Sequence, residues 1–328
     1  MPSDTPSLLD LRFVVLSGKG GVGRTTVAAA LARAAATRGK RVLIAQTDAV
    51  DRLARMFGSA TAVGPTTRAL APGIDAVNMT PRDSLHEYAL MILKYEAVYR
   101  ALFENRAVRG FLSAVPGLDA YAMLGKAWWH STETSGGAPK YDLVILDGPA
   151  SGHIVTLLKI PRSLVGATPA GPLARDARAM VELFADKQRS ALVIVTRPEE
   201  LPVEETRELA RAATRDLGIG LGPVIVNAVP PDRFSDPAVA ATLDRVAIPT
   251  GDGDLDATLN LAAGMRAHRH TADVALLELA RDPGLPLISL PALPVPALGP
   301  AEIDRLAAAL SRSLDPTSLP GALAKDVR

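Results

Sequence analysis

The stretch Gly18-Lys19-Gly20-Gly21-Val22-Gly23-Arg24-Thr25-Thr26 follows a short apolar run and opens an alanine-rich one. A glycine-rich turn between a strand and a helix aims successive backbone N–H groups at one point, and the helix dipole adds partial positive charge there. The guest that suits such a turn is a triphosphate. In the usual form, G-x-x-x-x-G-K-[S/T], the lysine reaches the β- and γ-phosphates and the next hydroxyl holds magnesium. Here Arg24 stands in the lysine position, Thr25 follows it, and a second lysine, Lys19, comes directly after the first glycine. A glycine-rich turn can also be purely structural, but this one has strand, helix and both cationic positions in order.

The surrounding pattern predicts an α/β fold with a doubly wound, mainly parallel sheet. Residues 13–16, 42–45, 143–146, 192–195 and 224–226 form short apolar runs, as in strands buried on both faces. Helical stretches at 25–38, 203–217 and 300–313 accompany them, and Gly39 suits the position after a helix C-terminus. Right-handed βαβ crossovers follow as the default connection. Between 82 and 135 the pattern turns to consecutive helical segments, which predicts an inserted helical subdomain between a first core part (1–81) and a second (136–314). The insert holds Tyr88, Tyr95, Tyr99, Tyr121, Trp128, Trp129, Met91 and Met123. Such a set either lines a groove for an apolar client helix or forms an ordinary helical core, and large apolar residues mostly pack inside. The proline-rich segment 283–300 predicts an extended last strand with its loops, and 315–328 a frayed tail.

Composition narrows the function classes. Thirty-six Lys and Arg against 35 Asp and Glu leave a formal charge of +1, which supplies no field for steering nucleic acid. The absence of cysteine excludes disulfides, thiolate zinc sites and cysteine nucleophiles, and suits a reducing compartment. With neither a basic start followed by an apolar core nor a run long enough to span a bilayer, the expectation is a cytoplasmic protein without a transmembrane segment.

A phosphate loop alone binds; hydrolysis also needs a magnesium anchor and a group that positions water, both at strand ends facing the loop. The run 143–146 leads into Asp147-Gly148-Pro149-Ala150-Ser151-Gly152-His153, which puts an acid at the strand tip followed by small residues suited to a mobile switch. The run 42–45 leads into Gln46-Thr47-Asp48-Ala49-Val50-Asp51, so Asp48 is a candidate for orienting the attacking water. Asp48 taken alone also suits a helix cap. His153 reads as a packing residue of the switch rather than a base, and His268 and His270 as surface residues.

These residues carry a resemblance. The loop with its extra lysine is similar to the deviant form used by dimerising P-loop ATPases. The acid after the second strand and DGPASGHIVTLLKIP at 147–161 are similar to the ArsA/Get-type anion-transporting ATPases, whose matching stretch reads DTAPTGH. TRPEELPVEETREL at 196–209, Val226-Asn227, and LPALPVPALGPAEI at 290–303 extend the likeness over most of the chain. The resemblance implies a doubly wound sheet with an inserted helical subdomain and two subunits facing each other across two nucleotides. Gly18, Gly20, Gly21, Val22, Gly23, Arg24, Thr25 and Thr26 would surround the phosphates of ATP or ADP, with Thr25 also on Mg2+. Lys19 would act on the nucleotide of the opposite subunit, Asp147 would hold the metal through water, Asn227 would read the adenine edge, and Pro291 would lie beside the base. Asp147, Gly148, Pro149, Gly152 and His153 would form the switch. The implied partners are a second identical or paralogous subunit and a hydrophobic client or membrane protein.

Two departures weaken part of this expectation. Arginine in place of the loop lysine keeps the charge but is a longer planar fork, so the swap is not conservative at a tight phosphate cup. The family's DPAH is Asp48-Ala49-Val50-Asp51 here. A low-turnover nucleotide-binding scaffold, one half of a heterodimer, is therefore the alternative to an active switch ATPase. A partitioning or septum-placing ATPase shares the deviant loop, but neither a basic patch nor a cationic amphipathic C-terminus accompanies it.

Overall fold

A computed structural model describes residues 6–93, 117–167, 170–246, 248–281 and 285–315. The first part of the chain runs β1 (Phe13–Gly18), α1 (Arg24–Ala36), β2 (Val42–Thr47), α2 (Leu53–Met56), β3 (Arg68–Ala71), β4 (Ile74–Met79) and α3 (Pro81–Leu93). After the undescribed stretch come α4 (Leu118–Thr132), a small hairpin of β5 (Thr134–Ser135) and β6 (Ala138–Pro139), β7 (Leu143–Ala150), α5 (Ser151–Ala167) and α6 (Pro172–Ala185). The rest comprises β8 (Ser190–Thr196), α7 (Glu200–Ala212), β9 (Leu221–Val229), α8 (Pro237–Arg245), α9 (Gly253–Ala280), β10 (Leu287–Pro291) and α10 (Pro300–Leu314).

The main sheet has eight strands in the order β10-β9-β8-β1-β7-β2-β4-β3. All neighbours are parallel except the edge pair β3–β4. Side chains alternate along each strand, so successive β1 residues serve opposite layers. Val14 and Leu16 join Leu31 of α1 and Ile303, Leu306 and Leu310 of α10 in one core. Phe13 and Val15 join Tyr121 and Leu124 of α4, Ile154 of α5, Met180 of α6 and Val203 of α7 in the other. Helices on both faces explain why β1, β7 and β8 read as continuous apolar runs rather than alternating ones. β1 lies between β7 and β8, and its neighbours run parallel, so the C-terminal ends of β1, β2 and β7 meet at one edge of the sheet.

Each expected strand is present and longer than its apolar run. The ladder continues through polar residues, pairing Gln46 with Asp147, because backbone pairing does not depend on side-chain hydropathy. β3 and β4 were not anticipated, since Asp75 and Asn78 break the apolar pattern there; nor were α8 and the long α9, whose buried residues are few. Of the aromatic set at 82–135, Tyr121 is fully buried and Trp128 and Met123 pack against the second core, whereas Trp129 is exposed. Tyr95, Tyr99 and the side chains of Tyr88 and Met91 lie outside the described residues, as does the tail beyond 315. Among the described residues no helix is long and apolar enough to cross a membrane.

Candidate nucleotide-binding site

The loop between β1 and α1 takes its shape from its glycines. Gly18 has φ +152°, and a Cβ there would lie 1.9 Å from the Val195 carbonyl oxygen, so the tip of β1 approaches β8 as only glycine permits. Gly23, immediately before α1, has φ +91°, and a Cβ there would lie 2.2 Å from the Asn227 amide nitrogen. Around Gly20 and Gly21 an added Cβ would meet nothing within 4 Å. The loop is thus pinned on the β8 and β9 side and open at its rim. With α1 beginning at Arg24, directly after the loop, this is a cradle for an anion.

Beneath the loop, Asp147 on β7 is buried. The Thr25 hydroxyl donates to its Oδ2 at 2.7 Å and the Gln46 amide donates to the same oxygen at 3.2 Å. Burial pushes the Asp147 carboxyl above the usual range, while Thr25, Gln46 and the charge of Arg24 pull the other way. Thr25 and Asp147 together offer only oxygen ligands, the donor set that suits a hard divalent cation such as magnesium. The Thr47 hydroxyl donates to the Asp147 carbonyl at 3.2 Å, and the Ser17 hydroxyl donates to the Pro149 carbonyl at 2.8 Å. β2 and β1 thereby hold the segment after Asp147 from both sides. Gly148 makes this fit possible, since a Cβ there would come within 2.7 Å of the Leu16 carbonyl oxygen.

The cationic groups of the loop point to partners within the chain. Arg24 Nη1 donates to the Gly18 carbonyl at 2.9 Å, so the guanidinium folds back across the loop. Its burial lowers its pKa from the usual arginine value. Lys19 Nζ donates to Glu205 Oε1 on α7 at 2.7 Å. Asn227 is buried, and its amide donates to the Val22 carbonyl at 2.9 Å, which makes it a brace for the loop. Thr26 is buried in the first turn of α1. Pro291 is exposed at the end of β10, in register with Val229 two residues after Asn227.

Asp48 follows β2 with φ +45°, a left-handed conformation that aspartate tolerates better than most residues. It is exposed. Its backbone is fixed on both sides: the Asp48 N–H donates to the Met79 carbonyl at 2.8 Å, and the Asn78 side chain forms a reciprocal pair with Ala49, accepting at 3.0 Å and donating at 2.7 Å. The Asp51 carboxylate accepts from the N–H of Ala54 in α2 and from that of Val63 in the following loop. His153 does not pack as expected. With Ile154, Leu157 and Leu158 turned to the core, the phase of α5 leaves Gly152 and His153 exposed on its first turn. His268 and His270 are exposed, as expected.

Three residues that hold site groups in place escaped sequence reasoning. Gln46 and Asn78 carry a visible signal, a polar side chain within or at the end of a buried strand. Glu205 carries none beyond its place in a charged helical stretch.

Comparison with known proteins bears on the family. The family model described as anion-transporting ATPase matches residues 11–167. The ATPase BagA of Mycobacterium tuberculosis is 30% identical over 239 residues, covering 68% of this chain and 66% of that protein. An arsenical pump-driving ATPase of Escherichia coli is 27% identical over 254 residues, covering 71% of this chain and 42% of its own length. The ATPase ASNA1 homolog 1 of Paramecium tetraurelia is 30% identical over 155 residues, covering 46% of this chain and 44% of its own. The matched part therefore spans just under two thirds of the mycobacterial relative and under half of the other two. The chain belongs to the ArsA-type family of P-loop ATPases.

Proposed function

We propose that this protein is a dimeric, Mg2+-dependent ATPase that uses hydrolysis as a switch for binding and releasing a hydrophobic client or a membrane-protein partner in the cytoplasm. The observation that carries the reading is the Thr25–Asp147 hydrogen bond beneath an open glycine loop, with Asp48 at the neighbouring strand end. In this reading the backbone from Gly18 to Thr26 cradles the phosphates, and Thr25 and Asp147 hold the metal, Asp147 through water. Magnesium supplies charge neutralisation of the phosphates. Asp48 orients the attacking water toward the terminal phosphate, which needs a carboxylate at a fixed position rather than a strong base. Lys19 stabilises charge on the nucleotide of the opposite subunit, as an arginine finger does in other NTPases. Asn227 and Pro291 flank the base, and the segment from Asp147 to His153 transmits the nucleotide state. Residues 82–135 form the inserted part through which a client is met.

Steady-state ATP hydrolysis by wild type, Asp48→Asn and Lys19→Ala tests this. Turnover should require Mg2+, and each variant should fall by about a hundred- to a thousand-fold, the usual cost of one group acting on the transition state. Equal rates in all three would sink the assignment.

The contact between Arg24 and the Gly18 carbonyl favours a second reading, a low-turnover scaffold paired with a more active paralogue. Its signature is ATP binding with negligible hydrolysis that Arg24→Lys raises.

A further inference from the structure

We infer that Glu205 is a positioning residue that stores Lys19 within its own subunit and ties its release to the position of the switch segment. The inference rests on the ATPase reading above, in which Lys19 acts across a dimer. Lys19 Nζ donates to Glu205 Oε1 at 2.7 Å, and the Ser151 hydroxyl donates to the other oxygen, Oε2, at 2.8 Å. One carboxylate thus bridges the phosphate loop and the first residue of α5, which directly follows the Asp147–Ala150 end of β7. Its own helix is a firm mount, because Val203, Leu209 and Ala210 of α7 are buried in the core. The Lys19 hydrogen bond, followed by that from Ser151, holds the Glu205 carboxyl below the usual range.

A lysine bound to this carboxylate cannot at the same time neutralise phosphate in another subunit. Displacement of Ser151 by the switch removes one of the two donors that fix the Glu205 carboxylate and loosens its hold on the ammonium. The pair is accessible for such an exchange, with about a third of each side chain exposed (33% and 35%). Half-exposed ion pairs of this kind shift equilibria by about 1.4- to 5-fold. Two copies must open to form one symmetric dimer, so the dimerisation constant responds as the square, about 2- to 25-fold.

Two measurements test this. Turnover against protein concentration should show a half-saturating concentration about 2- to 25-fold lower in Glu205→Gln than in wild type, with the rate at saturating protein unchanged. In a Lys19→Ala background the same substitution should have no effect on that concentration. A half-saturating concentration unchanged or raised, in a variant that melts like wild type, would overturn the inference.

The second measurement uses the unaltered protein. Zero-length carbodiimide coupling should join Lys19 to Glu205 without nucleotide, and the cross-linked peptide should fall several-fold with ATP and Mg2+. Equal yield under both conditions refutes the stored lysine whether or not the protein turns over. Absent turnover combined with a nucleotide-sensitive cross-link instead refutes only the ATPase reading.

Discussion

The three loop glycines Gly18, Gly20 and Gly21 should respond to alanine in a graded way set by local geometry. At Gly20 an added Cβ meets nothing within 4 Å and φ is not left-handed, so stability should change by no more than about 0.5 kcal/mol. At Gly21 space is equally open but φ is +86°, so backbone strain alone applies, about 1–2 kcal/mol. At Gly18 the same kind of strain is joined by a Cβ only 1.9 Å from the Val195 oxygen. To restore ordinary contact the tip of β1 must withdraw by roughly 1.5 Å from β8, at an overpacking cost of about 1–3 kcal/mol. That movement also disturbs the last rung of the β1–β8 ladder, Ser17 with Ile194, where each hydrogen bond is worth about 0.5–1.5 kcal/mol. The expected loss for Gly18→Ala is about 2.5–6.5 kcal/mol, a large share of a typical total of about 5–15 kcal/mol. Urea unfolding followed by tryptophan fluorescence reads this well, since Trp128 packs against the core on α4 and neither tryptophan is near the loop in sequence. Equal losses at Gly18 and Gly20, or none at Gly18, would refute the close approach of β1 and β8 as the reason for the glycine.

Asp147→Asn should abolish Mg2+-dependent nucleotide binding yet raise stability in the absence of nucleotide at neutral pH. The sign follows from burial: a carboxyl whose folded pKa lies above its unfolded value takes stability away as pH rises through the interval between the two. The gain from Asn should therefore shrink as pH falls toward the ordinary carboxylate range, and thermal melts across pH check it; a gain independent of pH would count against the charged, buried Asp147. Asn78→Ala removes both bonds that hold Ala49, so that only the bond to the Met79 carbonyl still fixes Asp48 at its φ of +45°. Turnover should drop by about ten-fold or more, since misplacing a positioned group slows the chemical step, while nucleotide affinity stays within about two-fold; an unchanged rate would show that Asp48 needs no such brace.

What the sequence revealed and what it hid follow from one distinction. Features encoded by local chemistry were legible: the loop from its glycines, β1 and β7 from apolar runs, and Asp147 from its place at the end of one. Features that depend on which distant segments meet were not. The Cβ that Gly18 lacks would collide with Val195 on β8, and the brace on Val22 comes from Asn227 on β9, contacts that no periodicity reveals. β4 was missed because Asp75 and Asn78 are polar for reasons of their own: Asp75 accepts from the Tyr141 hydroxyl and Asn78 holds Ala49. α9 was missed because only Ala272, Ala275 and Leu279 of its 28 residues are buried, so the core imposes little periodicity on it. The shared core of Tyr121 and Leu124 of α4 with Phe13 of β1 is likewise a meeting of distant segments that local pattern does not encode.

Four polar side chains at the loop share one property: each already has a partner in its own chain. Thr25 is bonded to Asp147, Arg24 to the Gly18 carbonyl, Asn227 to the Val22 carbonyl and Lys19 to Glu205. Buried or half-buried polar groups require such partners, because leaving one unsatisfied costs more than a hydrogen bond returns. A nucleotide entering this site therefore exchanges bonds rather than adding them, and exchanges of one hydrogen bond for another are close to neutral. What it adds is charge: several phosphate oxygens brought to the N-terminus of α1 and to two cations that until then face carbonyl or carboxylate oxygens. Arg24 gains most, since the Gly18 carbonyl is a neutral acceptor and a phosphate oxygen a charged one. Lys19 gains less, because Glu205 is already an anion. On the proposed reading the arginine in the lysine position favours binding within the subunit, whereas Lys19, already paired with the Glu205 carboxylate, would exchange one anion for another.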